Sequence, residues 1–209
     1  MAQDSTKPQG ATSYKQTAFG VISRDELLLL ELEGTKRGLE FILLLLKSDS
    51  TVEIKQSLIR ELHAVSFQWI FPDWAGSFRT IQVTYSGKEA PPFYTLPELI
   101  SNLCDDLKSR QEKLPKSSDV NFIDESVTLL AWFQHKFVFI HPFQDYNGRM
   151  ARMLTTLLLL QLKLPPAWIS VDSWEDREKY LSAMREGDEG NLQPLEQLIS
   201  ESLSRELSK

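Results

Sequence analysis

Apolar side chains recur every three to four residues along most of the chain, and this spacing predicts an all-α fold. Gly34 and Gly38 interrupt the first apolar pattern, so one helix or two can form there. Ser173 is expected to cap a helix, with Asp176 at its third position. The other expected helices begin after Ser23, run from an N-cap at Thr51 to about Phe67, follow the segment 141–152, and cover residues 97–113, 121–140 and 192–206.

One segment follows a different pattern. Ile81, Val83 and Tyr85 alternate with polar residues, which predicts a short strand that turns at residues 86–87 into one β-hairpin. Residues 1–18 are rich in Gln, Ser, Thr and Lys and are expected to form a disordered tail. Residues 19–209 are then expected to form a single domain.

Composition narrows the class of protein. Hydrophobic residues make up 42% and charged residues 25% of the chain, as in an ordinary soluble globular protein. The net charge of −6 disfavours a nucleic-acid partner, which would need a basic surface. The single cysteine, Cys104, indicates a reducing compartment. No signal peptide is visible, and every apolar run is shorter than the roughly 20 residues that span a membrane. We therefore expect a protein that is cytoplasmic, or delivered from a bacterial cytoplasm, and that does not contact a membrane.

The most informative segment runs from His141 to Arg152 and reads His-Pro-Phe-Gln-Asp-Tyr-Asn-Gly-Arg-Met-Ala-Arg. It lies between two apolar helical segments, so it is expected to be a tight loop that opens a helix, where N–H groups and the helix dipole favour an anion. Arg149 and Arg152 are three residues apart on one helix face and suit a polyphosphate. Asp145 suits Mg²⁺, which takes one or two carboxylates plus phosphate oxygens. The imidazole of His141 suits proton abstraction near neutral pH.

This segment resembles the signature of the Fic family, H-P-F-x-[D/E]-G-N-G-R-x-x-R. It matches at every fixed position except one, because Tyr146 stands where the family usually has glycine. Upstream, Trp74 to Arg79 resembles the family's W-A-G-x-[F/Y]-R stretch, and the similarity covers about residues 55–200. The resemblance implies a Fic-type helical domain. Its hairpin would be a flap that holds the target segment through Ile81, Val83 and Tyr85, and the alternative is a surface hairpin without a partner.

The resemblance also implies an activity. Most Fic proteins move AMP from ATP to a Ser, Thr or Tyr hydroxyl of a target protein. His141 would then be the base that deprotonates the hydroxyl, and Asp145 would hold Mg²⁺. The implied phosphate contacts are Asn147 with the backbone N–H groups from Tyr146 to Gly148 as an anion hole, Arg149 on the β- and γ-phosphates, and Arg152 on the γ-phosphate.

Tyr146 leaves the function open, because a side chain adopts left-handed backbone dihedrals only at a cost of about 1 kcal/mol. Its ring can lie outward or over the nucleotide. Two alternatives therefore stand beside AMP transfer. One is a Fic-like transferase of another nucleotide or phospho-group, and the other is a Fic-like binding or regulatory module without catalysis. The second alternative is disfavoured because the other motif side chains are retained.

Many Fic proteins carry a glutamate that pairs with the last arginine of the motif and blocks the γ-phosphate. Glu33 precedes Gly34 on the expected N-terminal helix, and Glu186 lies in a stretch that fits the pattern [S/T]-x-x-x-E-[G/N]. The alternative for both is an ordinary surface glutamate near a helix end. Inhibition would then need a partner protein.

Overall fold

The computed structural model describes residues 15–49, 51–171 and 173–208. The all-α prediction is confirmed, since seven α-helices dominate this part of the chain and the strands form only two short hairpins. The strands are β1 (Lys15–Thr17), β2 (Gly20–Ile22), β3 (Thr84–Tyr85) and β4 (Lys88–Glu89). The helices are α1 (Arg24–Ser48), α2 (Gln56–Phe67), α3 (Leu96–Gln111), α4 (Phe122–Ile140), α5 (Asn147–Gln161), α6 (Trp174–Asp188) and α7 (Gln193–Leu207).

The chain divides into two compact units. Among the described residues, the first unit contains those of 15–101 and 140–150, and the second contains those of 102–139 and 151–208. The first unit therefore contains both hairpins, α1, α2 and most of the segment from His141 to Arg152. That residues 19–209 form a single domain stays a prediction.

Helix α1 is continuous through both of its glycines. It begins with a capping box in which the Ser23 side chain accepts from the Glu26 N–H and the Glu26 side chain accepts from the Ser23 N–H. Gly34 lies on the face that packs against α2, where an added Cβ would lie 2.5 Å from the Ser66 carbonyl oxygen. The glycine thus permits close helix packing and does not break the helix. The buried residues of α1 are Leu27, Glu31, Gly34, Gly38 and Ile42.

Helix α2 begins later than predicted. Its N-cap is Lys55, without a side-chain hydrogen bond, so the expected N-cap at Thr51 is wrong. The backbone N–H and the hydroxyl of Thr51 instead both donate to Asp49 Oδ1, at 2.8 and 2.7 Å. A local turn that follows α1 has taken the hydrogen bonds that a helix cap would use.

The first hairpin lies partly within the expected disordered tail. Residues 1–14 of that tail lie outside the described residues, but residues 15–17 form β1, which pairs antiparallel with β2. The hairpin is anchored where its turn meets the segment after α2. There the Ala18 N–H donates to the Ile70 carbonyl at 2.8 Å, and the rings of Phe19 and Trp69 pack edge-to-face. The polar composition of this segment suggested disorder. The contacts that order it could not be seen in the local sequence, because their partners, Trp69 and Ile70, are distant along the chain.

The second hairpin confirms the prediction of strand pairing near Tyr85, with a shorter ladder than the alternation suggested. β3 pairs with β4, and the Ala90 N–H adds a hydrogen bond to the Val83 carbonyl at 3.0 Å. Its turn has positive φ at Ser86 and Gly87, which the glycine accepts without strain.

The second unit is a helical core that contains α6 packed on α7 and most of α3, α4 and α5. Ser173 caps α6 as predicted, since its hydroxyl accepts from the Asp176 N–H at 3.0 Å. Fully or almost fully buried side chains fill this unit, among them Leu107, Phe133, Phe137, Leu154, Leu157 and Leu195. None of the helices within the described residues is long and apolar enough to cross a membrane.

Candidate active site

The motif forms a loop between the end of α4 at Ile140 and the start of α5 at Asn147. The Asn147 side chain closes this loop, because its Oδ1 accepts from the Phe143 N–H and its Nδ2 donates to the Phe143 carbonyl, both at 2.9 Å. Both ends of the Asn147 amide are thus engaged within the loop. These bonds use one of the two N–H groups of Nδ2, so the expected contact of this side chain with an anion stays a prediction.

His141 lies at the start of the loop, with a φ of 52°. The ring of Tyr85, from the second hairpin, stacks on its imidazole with a centroid distance of 4.4 Å and an interplanar angle of 13°. Burial raises the pKa of Tyr85 to about 12, so the phenol stays neutral. The structure therefore brings one predicted flap residue onto the predicted base. Of the other two predicted flap residues, Ile81 is half exposed and Val83 is partly buried.

Arg79 ties this hairpin segment to the loop. Its Nε donates to the His141 carbonyl at 2.8 Å, its Nη1 donates to the Ile81 carbonyl at 3.0 Å, and its backbone N–H donates to the Pro142 carbonyl at 2.9 Å. The guanidinium is buried. These bonds fix the backbone that carries His141.

Asp145 carries the predicted metal carboxylate. Its Oδ2 lies 2.6 Å from Nζ of Lys15, and its Oδ1 accepts from the Tyr146 N–H at 2.7 Å. Burial acts to raise the pKa of Asp145, but the Lys15 charge and hydrogen bond, the Tyr146 N–H and the His141 charge outweigh it and lower the pKa. An ionised, 42% exposed carboxylate fits Mg²⁺, because that ion is usually held by one or two carboxylates and the phosphate oxygens of a substrate.

His63 joins two loops in the interior of the first unit and was not among the predicted site residues. Its Nδ1 accepts from the Gly76 N–H at 2.8 Å, its Nε2 lies 3.3 Å from the Asp145 carbonyl, and its ring stacks on Phe143 at 3.8 Å. Because Nδ1 is an acceptor, the proton lies on Nε2 and is donated to Asp145. Burial lowers the pKa of His63 to about 4, so the ring is neutral. The sequence signals for His63 were its apolar neighbours on α2 and its position ahead of the stretch from Trp74 to Arg79, which resembles the family pattern.

Tyr146 has its ring packed in the interior and not pointing outward. It adopts a φ of 64°, and its ring stacks on Phe67 at 4.2 Å and on Trp74 at 6.0 Å. Its hydroxyl donates to Glu31 Oε1 at 2.9 Å. Burial, and then the charges of Glu31 and Asp145, raise the pKa of Tyr146, so it is a neutral donor. These contacts offset the backbone cost of about 1 kcal/mol for the left-handed conformation.

The N–H groups at the start of α5 that lack an acceptor within the helix begin one residue later than the expected anion hole. The Tyr146 N–H is taken by Asp145, and the first hydrogen bond of α5 runs from the Met150 N–H to the Tyr146 carbonyl at 2.9 Å. The N–H groups of residues 147–149, including Gly148, therefore have no acceptor within the helix. Together with the helix dipole they form a site for an anion.

The carboxylate of Glu31 contacts Arg149 in the first turn of α5. This contact was not predicted from the sequence. It is 1% exposed, its Oε1 accepts from Arg24 Nη1 at 2.6 Å, and its Oε2 lies 2.8 Å from Arg149 Nη2 as an ion pair without hydrogen-bond alignment. Arg149 Nη1 is buried and has no hydrogen-bond partner among the described residues. The sequence held one signal for this contact. Glu31 is a carboxylate on the helix face that it shares with Leu27 and Gly34, within an apolar run of α1.

The two predicted inhibitory glutamates are engaged elsewhere. Glu33 lies on the other side of α1, where its carboxylate is 3.2 Å from Arg37 and 4.0 Å from Lys36. Glu186 is exposed and accepts from Asn191 Nδ2 at 2.9 Å. The helical face of Glu33 points to cations of its own helix, whereas Glu31 occupies the buried face. An inhibitory role of Glu33 or Glu186 stays a prediction.

Arg152 belongs to the second unit. Its guanidinium lies over the rings of Trp168 and Tyr180, at 5.2 and 5.8 Å from their centroids, and the residue is buried. This packing holds the guanidinium in a defined place.

Known proteins resemble this chain in sequence. A model of the Fic/DOC family matches residues 53–159. The protein adenylyltransferase Fic of Aedes aegypti is 30% identical over 149 residues, which are 71% of this chain and 28% of that protein. The protein adenylyltransferase fic-1 of Caenorhabditis briggsae is 30% identical over 172 residues, which are 81% of this chain and 31% of that protein. The chain thus spans about a third of the length of these relatives.

Solved structures are also similar. Fic-1 from C. elegans is 27% identical, with a TM-score of 0.69, over 85% of this chain and 49% of that one. The N-terminal Fic domain of a putative cell filamentation protein from Bartonella quintana has a TM-score of 0.67 over 99% of both chains. At 17% identity, this second likeness shows the fold alone.

Proposed function

The chain belongs to the Fic/DOC family, and from this membership and the geometry of the loop we propose that it is a protein adenylyltransferase. It would move AMP from ATP to a Ser, Thr or Tyr hydroxyl of a target protein in the cytoplasm. The observation that carries the proposal is the position of Arg149 at the first turn of α5, with a buried Nη1 that lacks a protein partner among the described residues. The predicted base and metal carboxylate lie on the loop that leads into this turn.

In the proposed reaction, the imidazole of His141 accepts the proton of the target hydroxyl. The hydroxyl oxygen then forms a bond to the α-phosphorus of ATP. The bond from this phosphorus to the oxygen that bridges to the β-phosphate breaks, and pyrophosphate leaves. Tyr85 and Arg79 restrict the ring and the backbone of His141, respectively, which favours a fixed position for the base.

The phosphates would be held by the start of α5. The N–H groups of residues 147–149 and the guanidinium of Arg149 supply donors and positive charge for the triphosphate. Arg152 is proposed to contact the γ-phosphate. Asp145 would hold Mg²⁺, which when bound would neutralise phosphate charge.

Within the same proposal, Glu31 takes the restraining role that was expected of Glu33. Its carboxylate lies on Arg149, the cation proposed to grip the β- and γ-phosphates, and it repels an incoming phosphate. Arg24 and Tyr146 hold the carboxylate in place through hydrogen bonds to Oε1. The resting protein is therefore expected to be nearly silent.

The test uses ATP labelled at either the α- or the γ-phosphate, with Mg²⁺ and a cell lysate as the source of targets. We expect label on protein from α-labelled ATP alone, a strong signal for Glu31→Gln, and no signal for Glu31→Gln combined with His141→Ala. Glu33→Gln is the matched control and should behave like wild type. Label from the γ-position would establish phosphoryl transfer instead. Silence of every variant would establish the non-catalytic alternative or a requirement for a partner protein.

A further inference from the structure

The N-terminal hairpin brings a cation to the metal carboxylate. Lys15 is the first residue of β1, and its Nζ lies 2.6 Å from Asp145 Oδ2. Lys15 lies outside residues 53–159, the segment that the family model matches. This ion pair therefore adds a charged group to the site from a part of the chain that the motif does not include.

Contacts to the segment after α2 and within its own turn hold the hairpin that presents Lys15. The Ala18 N–H donates to Ile70, Phe19 packs on Trp69, and the hydroxyl of the buried Thr17 accepts from the Phe19 N–H at 3.1 Å and donates to the Gly20 carbonyl at 2.9 Å. The backbone of the hairpin is thereby fixed to the segment that follows α2. Only the flexible four-carbon stem of Lys15 has to move for the ammonium to leave the carboxylate.

The position of the ammonium conflicts with a metal ion. One carboxylate oxygen, Oδ1, already accepts the Tyr146 N–H, and the other, Oδ2, holds Lys15. A divalent cation on Asp145 would meet a positive charge a few ångströms away. The two cations therefore cannot both bind Oδ2 at full strength.

The ion pair is also weak enough to be displaced. The side chain of Lys15 is 39% exposed and that of Asp145 is 42% exposed. Ion pairs with this exposure contribute about 0–1 kcal/mol because water screens them. A doubly charged ion that is also bound by phosphate oxygens can replace such a pair.

We propose that Lys15 is a built-in competitor of the divalent cation, which occupies Asp145 until metal and nucleotide bind together and displace it. This inference rests on the proposed nucleotide site. Lys15 raises the Mg²⁺ concentration that is needed to occupy Asp145, and phosphate oxygens that bind the same metal ion lower it again. The residue acts on binding and takes no part in proton transfer.

The experiment measures binding of a non-hydrolysable ATP analogue by calorimetry at a series of Mg²⁺ concentrations. For Lys15→Met we expect half-saturation at a Mg²⁺ concentration lower by about two- to fivefold, the equivalent of a weak ion pair. Lys15→Arg keeps the charge and should stay near wild type. Lys55→Met removes an exposed lysine that pairs with Glu53 and is the control for a general change of charge.

The outcomes separate this inference from the proposed function. An unchanged or higher Mg²⁺ requirement in Lys15→Met, with normal binding by wild type, overturns the competition and leaves the nucleotide site intact. An equal decrease in Lys55→Met also overturns it, because the effect would then be one of net charge. If wild type binds no analogue because of Glu31, the same series is measured in Glu31→Gln, and absence of binding there at every Mg²⁺ concentration would overturn both the nucleotide site and the competition.

Discussion

Two ion pairs join the segment from His141 to Arg152 to parts of the chain that precede residue 53, and the two pairs differ in burial. Glu31 meets Arg149 with side-chain exposures of 2% and 20%, whereas Lys15 meets Asp145 with exposures of 39% and 42%. Both pairs occupy a group that the proposed reaction needs. Water screens the second pair far more than the first.

The difference in burial shows how one segment can contain two ion pairs of unequal strength. Removal of one partner from a buried pair leaves an uncompensated charge in the interior, which is strongly destabilising. Removal of one partner from an exposed pair leaves a charge that water can solvate. We therefore expect Glu31 to affect both stability and regulation, and Lys15 to affect metal binding with little effect on stability.

The strongest test of this contrast is Glu31→Ala. We expect the free energy of unfolding to fall by about 3–4 kcal/mol, because Arg149 loses its buried partner and the Tyr146 hydroxyl loses its acceptor. Urea unfolding followed by tryptophan fluorescence measures this change. Glu33→Ala, which removes only exposed pairs, should cost less than about 1 kcal/mol. Similar losses in the two variants would show that burial does not separate these glutamates.

A second test concerns His63, a titratable side chain that is buried without a charged side-chain partner. The pKa of His63 is about 4 in the folded protein, below its ordinary value of 6.5, so the unfolded chain binds more protons between these two pH values. The stability that His63 contributes is therefore complete above about pH 6.5 and is lost as the pH falls towards 4. The loss amounts to up to about 3 kcal/mol.

The measurement for His63 is the free energy of unfolding between pH 4 and pH 7, compared with His63→Gln. The glutamine can keep a donor and an acceptor but cannot titrate, so the variant should show a smaller slope in this window. Equal slopes in the two proteins would mean that other groups account for the acid sensitivity.

The fold and the motif were readable from the sequence because both depend on local patterns. Helical spacing predicted most helices, and the segment from His141 to Arg152 indicated the site. The contacts of Glu31 and Lys15 could not be read in this way, since their partners lie more than a hundred residues away along the chain. Gly34 suggested a helix break because a glycine weakens an isolated helix, but here a packed neighbouring helix requires its missing side chain.

Tyr146→Phe tests the hydrogen bond that orients the buried carboxylate. The ring packing should persist, so we expect a loss of about 1–2 kcal/mol in the free energy of unfolding from one bond to a charged acceptor. In the labelling assay this variant should be modestly more active than wild type, because Glu31 is held less firmly on Arg149. Full activity, equal to that of Glu31→Gln, would instead assign the restraint mainly to the tyrosine.

The smallest effect is expected for Lys15→Met, and it completes the contrast with Glu31. Because the pair with Asp145 is about two-fifths exposed on both sides, its removal should change the free energy of unfolding by less than about 1 kcal/mol. Urea unfolding at low and at high salt measures this, and the difference from wild type should shrink as salt screens the pair. A loss as large as that of Glu31→Ala, persisting at high salt, would mean that Lys15 is a structural anchor of the hairpin. A divalent cation could then displace it only by loosening the hairpin, and the two ion pairs would be restraints of the same kind.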